Sequence, residues 1–309
     1  MGQTRTNAFA QSEELGAISW YRDYDQALAA SKKEYKPVLI LFQEVPGCAT
    51  CRNYGNNVLS HPLLTEAIEN EFIPLAIYNN KQGKDRQILN KYNEPSWNNP
   101  VVRIVDENGV DLVPRLARNY SALGLFEAMT KALKSEQITP PPYLEIVGEE
   151  LKLRPDNTKE AVYSMYCFWT GEKQLGSLQG VVQTEAGFAG GREVVRVTYN
   201  KDEISKSSID RFAQRNSIRP IEGDANFRAA ISDEDYYLNR SVYKYLPLSR
   251  VQRTKVNSLL GSGQDPTEVL SPSQLDWLSA IKNGQLAKQT RFDQGFKPTF
   301  LELKEQTFR

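Results

Sequence analysis

Apolar positions in the first third of the chain change rhythm at Lys36-Pro37. An amphipathic segment, Tyr24 to Tyr35, gives way to the unbroken apolar run Val38-Leu39-Ile40-Leu41-Phe42. A run this short and continuous predicts a strand buried on both faces. A helical stretch follows Cys48, breaks at His61-Pro62 and resumes from Leu63 to Asn70. Phe72 to Tyr78 reads as a second strand and Val101 to Asp106 as a third, closed by the turn Glu107-Asn108-Gly109. Ser121 is placed to cap a helix that carries Phe126, Met129 and Leu133 on one face. This order predicts an α/β fold, a mixed sheet with helices on both faces.

Thr139-Pro140-Pro141-Pro142 is the strongest division in the chain, because consecutive prolines remove donors and favour a stiff, extended spacer. Beyond it, Ala161 to Tyr166 reads as a strand and the stretch from Cys167 to about Gln179 as a helix. Val181 to Ala186 is a strand, Gly187 to Gly191 a turn, Glu193 to Tyr199 a strand and Ser207 to Asn216 a helix. The sequence β-α-β-β-α predicts a ferredoxin-like α+β sandwich lacking its last strand. After Pro247 the chain turns polar, with helical pieces near Arg250 to Leu260 and Ser273 to Ile281, and little periodicity from Gly284 onward. The expected organisation is therefore a loose tail (1–16), a first domain (17–138), a Pro-rich linker and lead-in (139–159), a second domain (160–250) and a polar, partly helical extension (251–309).

Composition narrows the chemistry. Among 309 residues there are 38 Lys plus Arg and 38 Asp plus Glu, so the net charge is zero. Nothing in that balance calls for nucleic acid or an anionic membrane as partner. The opening MGQTRTNAFAQSEELG is polar, without the apolar core of a secretory signal, and no apolar run is long enough to span a bilayer; the expected compartment is the cytoplasm. His61 is the single histidine, and Cys48, Cys51 and Cys167 are the only thiols. That set is poor for zinc and too small for a disulfide scaffold. No metal and no cofactor are expected, and thiol chemistry or simple burial remains.

Cys48-Ala49-Thr50-Cys51 lies at a strand-to-helix junction. Unpaired N–H groups and the helix dipole there stabilise a thiolate on the first cysteine, and the second, one turn on, can resolve a mixed disulfide. The alternatives are two buried thiols or half of a zinc site, with only His61 and Cys167 left to complete it. With Trp20, Lys36-Pro37-Val38-Leu39-Ile40, Val45-Pro46-Gly47 and Asn99-Pro100, the segment over about residues 17–135 resembles the thioredoxin superfamily. The resemblance implies a thioredoxin fold and a cis peptide bond at Asn99-Pro100, with Pro100 facing the disulfide on the substrate side. The sequence departs from the family in lacking a Trp before the first cysteine and Gly-Pro between the two.

Cys167 also sits where a strand enters a helix, followed at once by Phe168 and Trp169. The bland reading is a cysteine buried in an aromatic core. In the strand that begins at Arg192, side-chain alternation puts Glu193 on the face of Val195, Val197 and Tyr199, where desolvation would keep it protonated as a general acid requires. The alternative is a strand-end carboxylate reaching solvent. Cys167-Phe168-Trp169 with Glu172, Gly180-Val181-Val182-Gln183-Thr184, Gly187-Phe188-Ala189-Gly190-Gly191, Glu193 and Tyr199 together resemble the type A peptide methionine sulfoxide reductases over about residues 160–212. The resemblance implies attack by Cys167 on a sulfoxide sulfur, proton donation by Glu193, and a methyl pocket formed by Phe168 and Trp169. The family's two sulfoxide-binding tyrosines fall on Phe188 and Phe227, with Tyr236 or Tyr237 as the alternative source of a hydroxyl, and its aspartate falls on Asp224. Its glycine before the cysteine is Tyr166, and the insertion before its glutamate strand is absent.

Together these features predict a thiol oxidoreductase. Cys167 would reduce methionine sulfoxide, free or in a peptide, and the Cys48/Cys51 dithiol would restore it at the expense of an external thiol reductant. The alternative is a disulfide reductase, acting on protein disulfides, whose second domain only binds substrate. A third reading is an interaction protein with inert thiols.

Overall fold

A computed structural model describes residues 12–221 and 226–307 of the protein. They form two compact units divided between Pro140 and Pro141.

In the first unit Asp23 caps α1 (Tyr24–Glu34) by accepting the Gln26 N–H. The apolar run that follows is β1 (Val38–Gln43), buried along its whole length. Two helices, α2 (Ala49–Asn57) and α3 (Pro62–Glu71), carry the chain to β2 (Ile73–Tyr78), which pairs parallel with β1. His61 caps α3, and Pro62 occupies its first turn, where a missing N–H does no harm. After α4 (Lys84–Lys91), β3 (Val101–Val105) pairs antiparallel with β1, and the short β4 (Leu116–Ala117) gives the sheet order β2-β1-β3-β4. Helix α4 has no counterpart in the periodicity because Leu89 is its one buried residue. Helix α5 (Ala122–Ser135) starts as expected, with Ser121 Oγ accepting the Gly124 N–H.

The tail expected over residues 1–16 does not extend to residues 12–16; residues 1–11 lie outside the described residues. Glu13–Leu15 is a turn of 3-10 helix with Glu14 and Leu15 buried. Trp20 Nε1 donates to Leu15 O, and Tyr21 makes a parallel bridge to Leu75 on the sheet edge. The 3-10 turn presses on α2 at Gly55, where a Cβ would lie 1.8 Å from Glu13 O.

In the second unit the third proline does not extend the spacer: it starts α6 (Pro142–Leu151), because proline is tolerated in a helix's first turn. The elements then run β5 (Thr158–Ser164), α7 (Phe168–Gly176), β6 (Val181–Ala189), β7 (Arg192–Asn200), α8 (Lys206–Arg215) and β8 (Arg219–Ile221). The antiparallel sheet has the order β8-β5-β7-β6, extended at the β6 edge by β9 (Arg228–Ala229). The first four strands follow the βαββαβ order of the ferredoxin-like sandwich. The strand expected to be missing is β8, whose three residues include Pro220 and are at most half-buried, an edge strand without a readable pattern. The five-residue glycine turn is also shorter than expected. Gly187, Phe188 and Ala189 belong to β6, and only Gly190 and Gly191 turn, both at positive φ.

Beyond a short helix, α9 (Tyr236–Asn239), come α10 (Arg250–Gly261), α11 (Pro272–Lys282) and α12 (Phe296–Thr307). Helix α10 is part of this unit's core rather than an extension. Val251 and Val256 are fully buried, Ser258 Oγ donates to Lys173 O, and Lys255 Nζ donates to Gly176 O and Leu178 O at the end of α7. Phe300 and Leu303 bury one side of α12, whose periodicity is obscured by Pro298 in its first turn.

Gly55→Ala is expected to lower the stability of the first unit by about 1–3 kcal/mol, as overpacking does. A fall in its urea midpoint at unchanged slope is the measurement.

Candidate functional site

The first unit builds its thiol site from the loop between β1 and α2. Val45-Pro46 is a cis peptide bond. A Cβ on Gly47 would stand 2.4 Å from Glu44 O and 2.7 Å from Cys51 Cβ, so only glycine lets the loop fold against α2. Cys48 is thereby the N-cap of α2, exposed, with its sulfur 3.6 Å from that of buried Cys51. The Cys51 backbone N–H, together with the Cys51 thiol and the Thr50 N–H, holds the Cys48 thiol below its ordinary pKa against a smaller effect of burial. Burial, then the neighbouring Cys48, pushes Cys51 up to about 11. The two sulfurs therefore differ as an attacking and a resolving thiol do.

Asn99-Pro100 is cis, as its resemblance implied. Its loop is pinned at two points. Buried Glu94 pairs with Arg103 and Arg115, and Asn79 Nδ2 donates to Asn98 O at 3.0 Å. Asn99 Oδ1 thereby accepts the Cys51 thiol at 2.6 Å. Trp97, in the same loop, is 75% exposed, an apolar surface on that loop.

Three residues of this site escaped the sequence reading. Glu14, assigned there to the tail, accepts the Gly47 N–H at 2.7 Å. Burial raises its pKa, but hydrogen bonds from Ser12 and Gly47, with the Arg52 charge, bring it below the usual range. Gln43 Nε2 ties Glu14 O to Cys51 O. A Glu44 carboxylate oxygen lies within 4.8 Å of both cysteine sulfurs. The contact of Glu14 is remote in sequence and left no local signal; Glu44 adjoins the motif but belongs to none.

In the second unit half-buried Cys167 is the N-cap of α7. Glu193, at the start of β7, reaches the same helix end, and its Oε2 accepts the Phe168 N–H at 2.8 Å. The two-residue turn sets Phe188 directly across from Glu193 on β6. Phe168 packs edge-on against Phe188 at 5.5 Å between centroids, and Trp169 stacks on Tyr236 at 3.8 Å. Cys167, Phe168, Trp169, Phe188 and Glu193 are thus brought together on the α7 face of the sheet. Phe227 is not. Its ring lies against Gly187 on the opposite face, in the cluster of Val162, Ala189 and Val194, with Arg196 over it. Asp224 lies outside the described residues.

Tyr237 supplies a phenol that no motif marked. Burial and then the charge of Cys167 push its pKa up, which makes the two groups electrostatic neighbours. Its ring fits against α10 because Gly261 has no Cβ, which would stand 2.7 Å from the ring. Glu172 is fully buried behind this cluster, its pKa raised well above normal by burial and by Asp235. Tyr166, in place of a glycine, stands 98% exposed immediately before Cys167.

Residues 19–107 match the thioredoxin-like family model; this part of the chain is a thioredoxin-like domain. The chain is also similar to the mitochondrial peptide methionine sulfoxide reductase of Mus musculus, 38% identical over 68 residues, covering 16% of this chain and 29% of that protein. The peptide methionine sulfoxide reductase MsrA of Methanococcus maripaludis is 38% identical over 70 residues, covering 17% and 45% respectively. The chain therefore spans less than half the length of these relatives. Among solved structures, a DsbH oxidoreductase matches with a TM-score of 0.34 and 19% identity, over 42% of this chain and 94% of that one. No helix among the described residues is long and apolar enough to cross a membrane.

Iodoacetamide added to the reduced protein at neutral pH is expected to label Cys48 at least about 100-fold faster than Cys51, given the separation of their thiolate fractions; peptide mass mapping over time reads this. The lowered pKa of Glu14 gives a second expectation. Its contribution to stability is complete above the unfolded glutamate value of about 4.3 and is lost as pH falls below it through the folded value. Melting temperatures of the first unit should drop over that window, and the drop should flatten in Glu14→Gln.

Proposed function

We propose that the protein is a thiol oxidoreductase that reduces methionine sulfoxide through Cys167 and is recycled by its own thioredoxin-like domain. The observation that carries the reading is that Cys167 is the N-cap of α7 and the Glu193 carboxylate accepts the next N–H of that helix start, beside the Phe168–Trp169–Tyr236 aromatic cluster. The apolar rings suit the methyl group of a sulfoxide.

In this scheme the Cys167 sulfur attacks the sulfoxide sulfur while Glu193 delivers a proton to its oxygen. The thioether leaves two electrons richer, and Cys167 becomes a sulfenic acid. Cys48 attacks that sulfur, water departs, and a Cys48–Cys167 disulfide forms. Cys51 then attacks Cys48, freeing the Cys167 thiol and leaving a Cys48–Cys51 disulfide for an external thiol to reduce. A compartment that keeps dithiols reduced, as the cytoplasm does, suits this cycle.

One observation favours a second reading, a disulfide reductase with a substrate-binding second unit. Phe188 offers no hydroxyl to the sulfoxide oxygen, and Phe227 packs on the far face of the sheet. In the first reading Tyr237 supplies the missing hydroxyl.

The test is turnover of methionine sulfoxide by the full chain with a chemical thiol reductant. Loss of turnover in Cys167→Ser and a fall of about tenfold in kcat/KM in Tyr237→Phe, worth about 1.4 kcal/mol, are expected. Cys51→Ser should accumulate the Cys48–Cys167 disulfide, read by mass spectrometry. An inactive parent that still reduces protein disulfides would leave the second reading standing.

A further inference from the structure

We propose that the reduced Cys48/Cys51 site is also a binding site for a soft divalent d10 cation, Zn2+ in particular, with Glu44 as the third ligand. Counted by thiols and imidazoles alone, the pair is half a zinc site. The fold supplies an oxygen instead. One Glu44 carboxylate oxygen and the sulfurs of Cys48 and Cys51 all lie within 4.8 Å of one another.

The geometry agrees with what such an ion needs. Two Zn–S bonds of about 2.3 Å at the tetrahedral angle hold their sulfurs about 3.8 Å apart. The two sulfurs here are 3.6 Å apart before any ion is bound. A carboxylate closes on zinc at about 2.0–2.2 Å, within reach of a small rotation of Glu44. The loop leaves Glu44 little choice of place, since the missing Cβ of Gly47 lets residues 44–47 double back tightly over the start of α2. Glu44 makes no side-chain hydrogen bond or ion pair among the described residues, so it is free to serve as a ligand. Cys48 is exposed, which leaves the fourth position to water. Three protein ligands and one open position is the pattern of an accessible zinc site rather than a closed structural one.

Binding replaces the two thiol protons, which are released as the two Zn–S bonds form. It involves no oxidation, and it excludes the Cys48–Cys51 disulfide while the ion is bound. The site is therefore available only in the reduced state, and its occupant blocks thiol exchange at Cys48. This inference concerns the dithiol alone and does not depend on which substrate the dithiol serves.

The experiment uses the full chain carrying Cys167→Ser, so that only this pair of thiols remains, reduced and kept under argon. Zn2+ affinity is read by competition with a chromogenic chelator, and Cd2+ binding by its thiolate-to-metal charge-transfer band. One ion per chain is expected, none after oxidation of the pair and none in Cys51→Ser. Glu44→Gln should weaken Zn2+ binding by roughly tenfold or more, within the loss seen when a site's supporting groups are removed, and Glu44→His should restore it. Retention of the rate at which Cys48 is alkylated in Glu44→Gln verifies that its loop is intact; if that rate changes, restoration by Glu44→His decides alone. Equal affinity of parent and Glu44→Gln, or no band with Cd2+, overturns the proposal.

Discussion

Helix-start N–H groups, which have no partner inside the helix, are the constraint on which both sulfur sites depend. An N-cap position left without a side-chain cap offers those donors to whatever group the loop presents. Cys48 and Cys167 both occupy such positions, on α2 and α7. In the first unit the loop doubles back over the start of α2 at a glycine with no room for a methyl group, and a buried glutamate bonds to the Gly47 N–H. In the second unit a carboxylate does arrive at the helix end, where Glu193 takes the Phe168 N–H while Cys167 keeps the N-cap position.

How much of this was legible in the sequence follows from where each determinant lies. Strand β1 was readable because a strand buried on both faces has no polar interruptions, and the helix at Ser121 because its cap and its apolar face are local. The placement of Cys48 and Cys167 at helix starts was readable because a strand-to-helix junction is marked within a few residues. Glu14 and Asn99 were harder, since one acts across 33 residues on Gly47 and the other across 48 residues on Cys51. Glu44 belonged to no pattern at all, and Tyr237 was only one of two tyrosines that could replace a lost hydroxyl. Phe227 shows the converse limit: matching its place in a motif did not bring it to the face where its neighbours in that motif gather.

The second unit also shows why a polar stretch of sequence is a poor guide to a boundary. Helix α10 reads as mainly polar, yet the polar groups it buries bond inward to the ends of other elements. Lys255 supplies cations' proper place at the C-terminal end of α7, opposite the sulfur at its start. Burial lowers the Lys255 pKa, so its two carbonyl partners hold it where apolar contacts alone would not. What looks appended is the wall against which Cys167's helix is set.

The hairpin between β6 and β7 has a consequence of another kind. Its two-residue turn fixes the pairing of Phe188 with Glu193 and leaves no slack between them. Side chains on a strand alternate, so phase, not only identity, decides which groups meet. One residue added or lost in that turn would leave every amino acid of the cluster in the chain while sending one strand's members to the other side of the sheet. In this hairpin the count of residues is as much a part of the chemistry as the sulfur is.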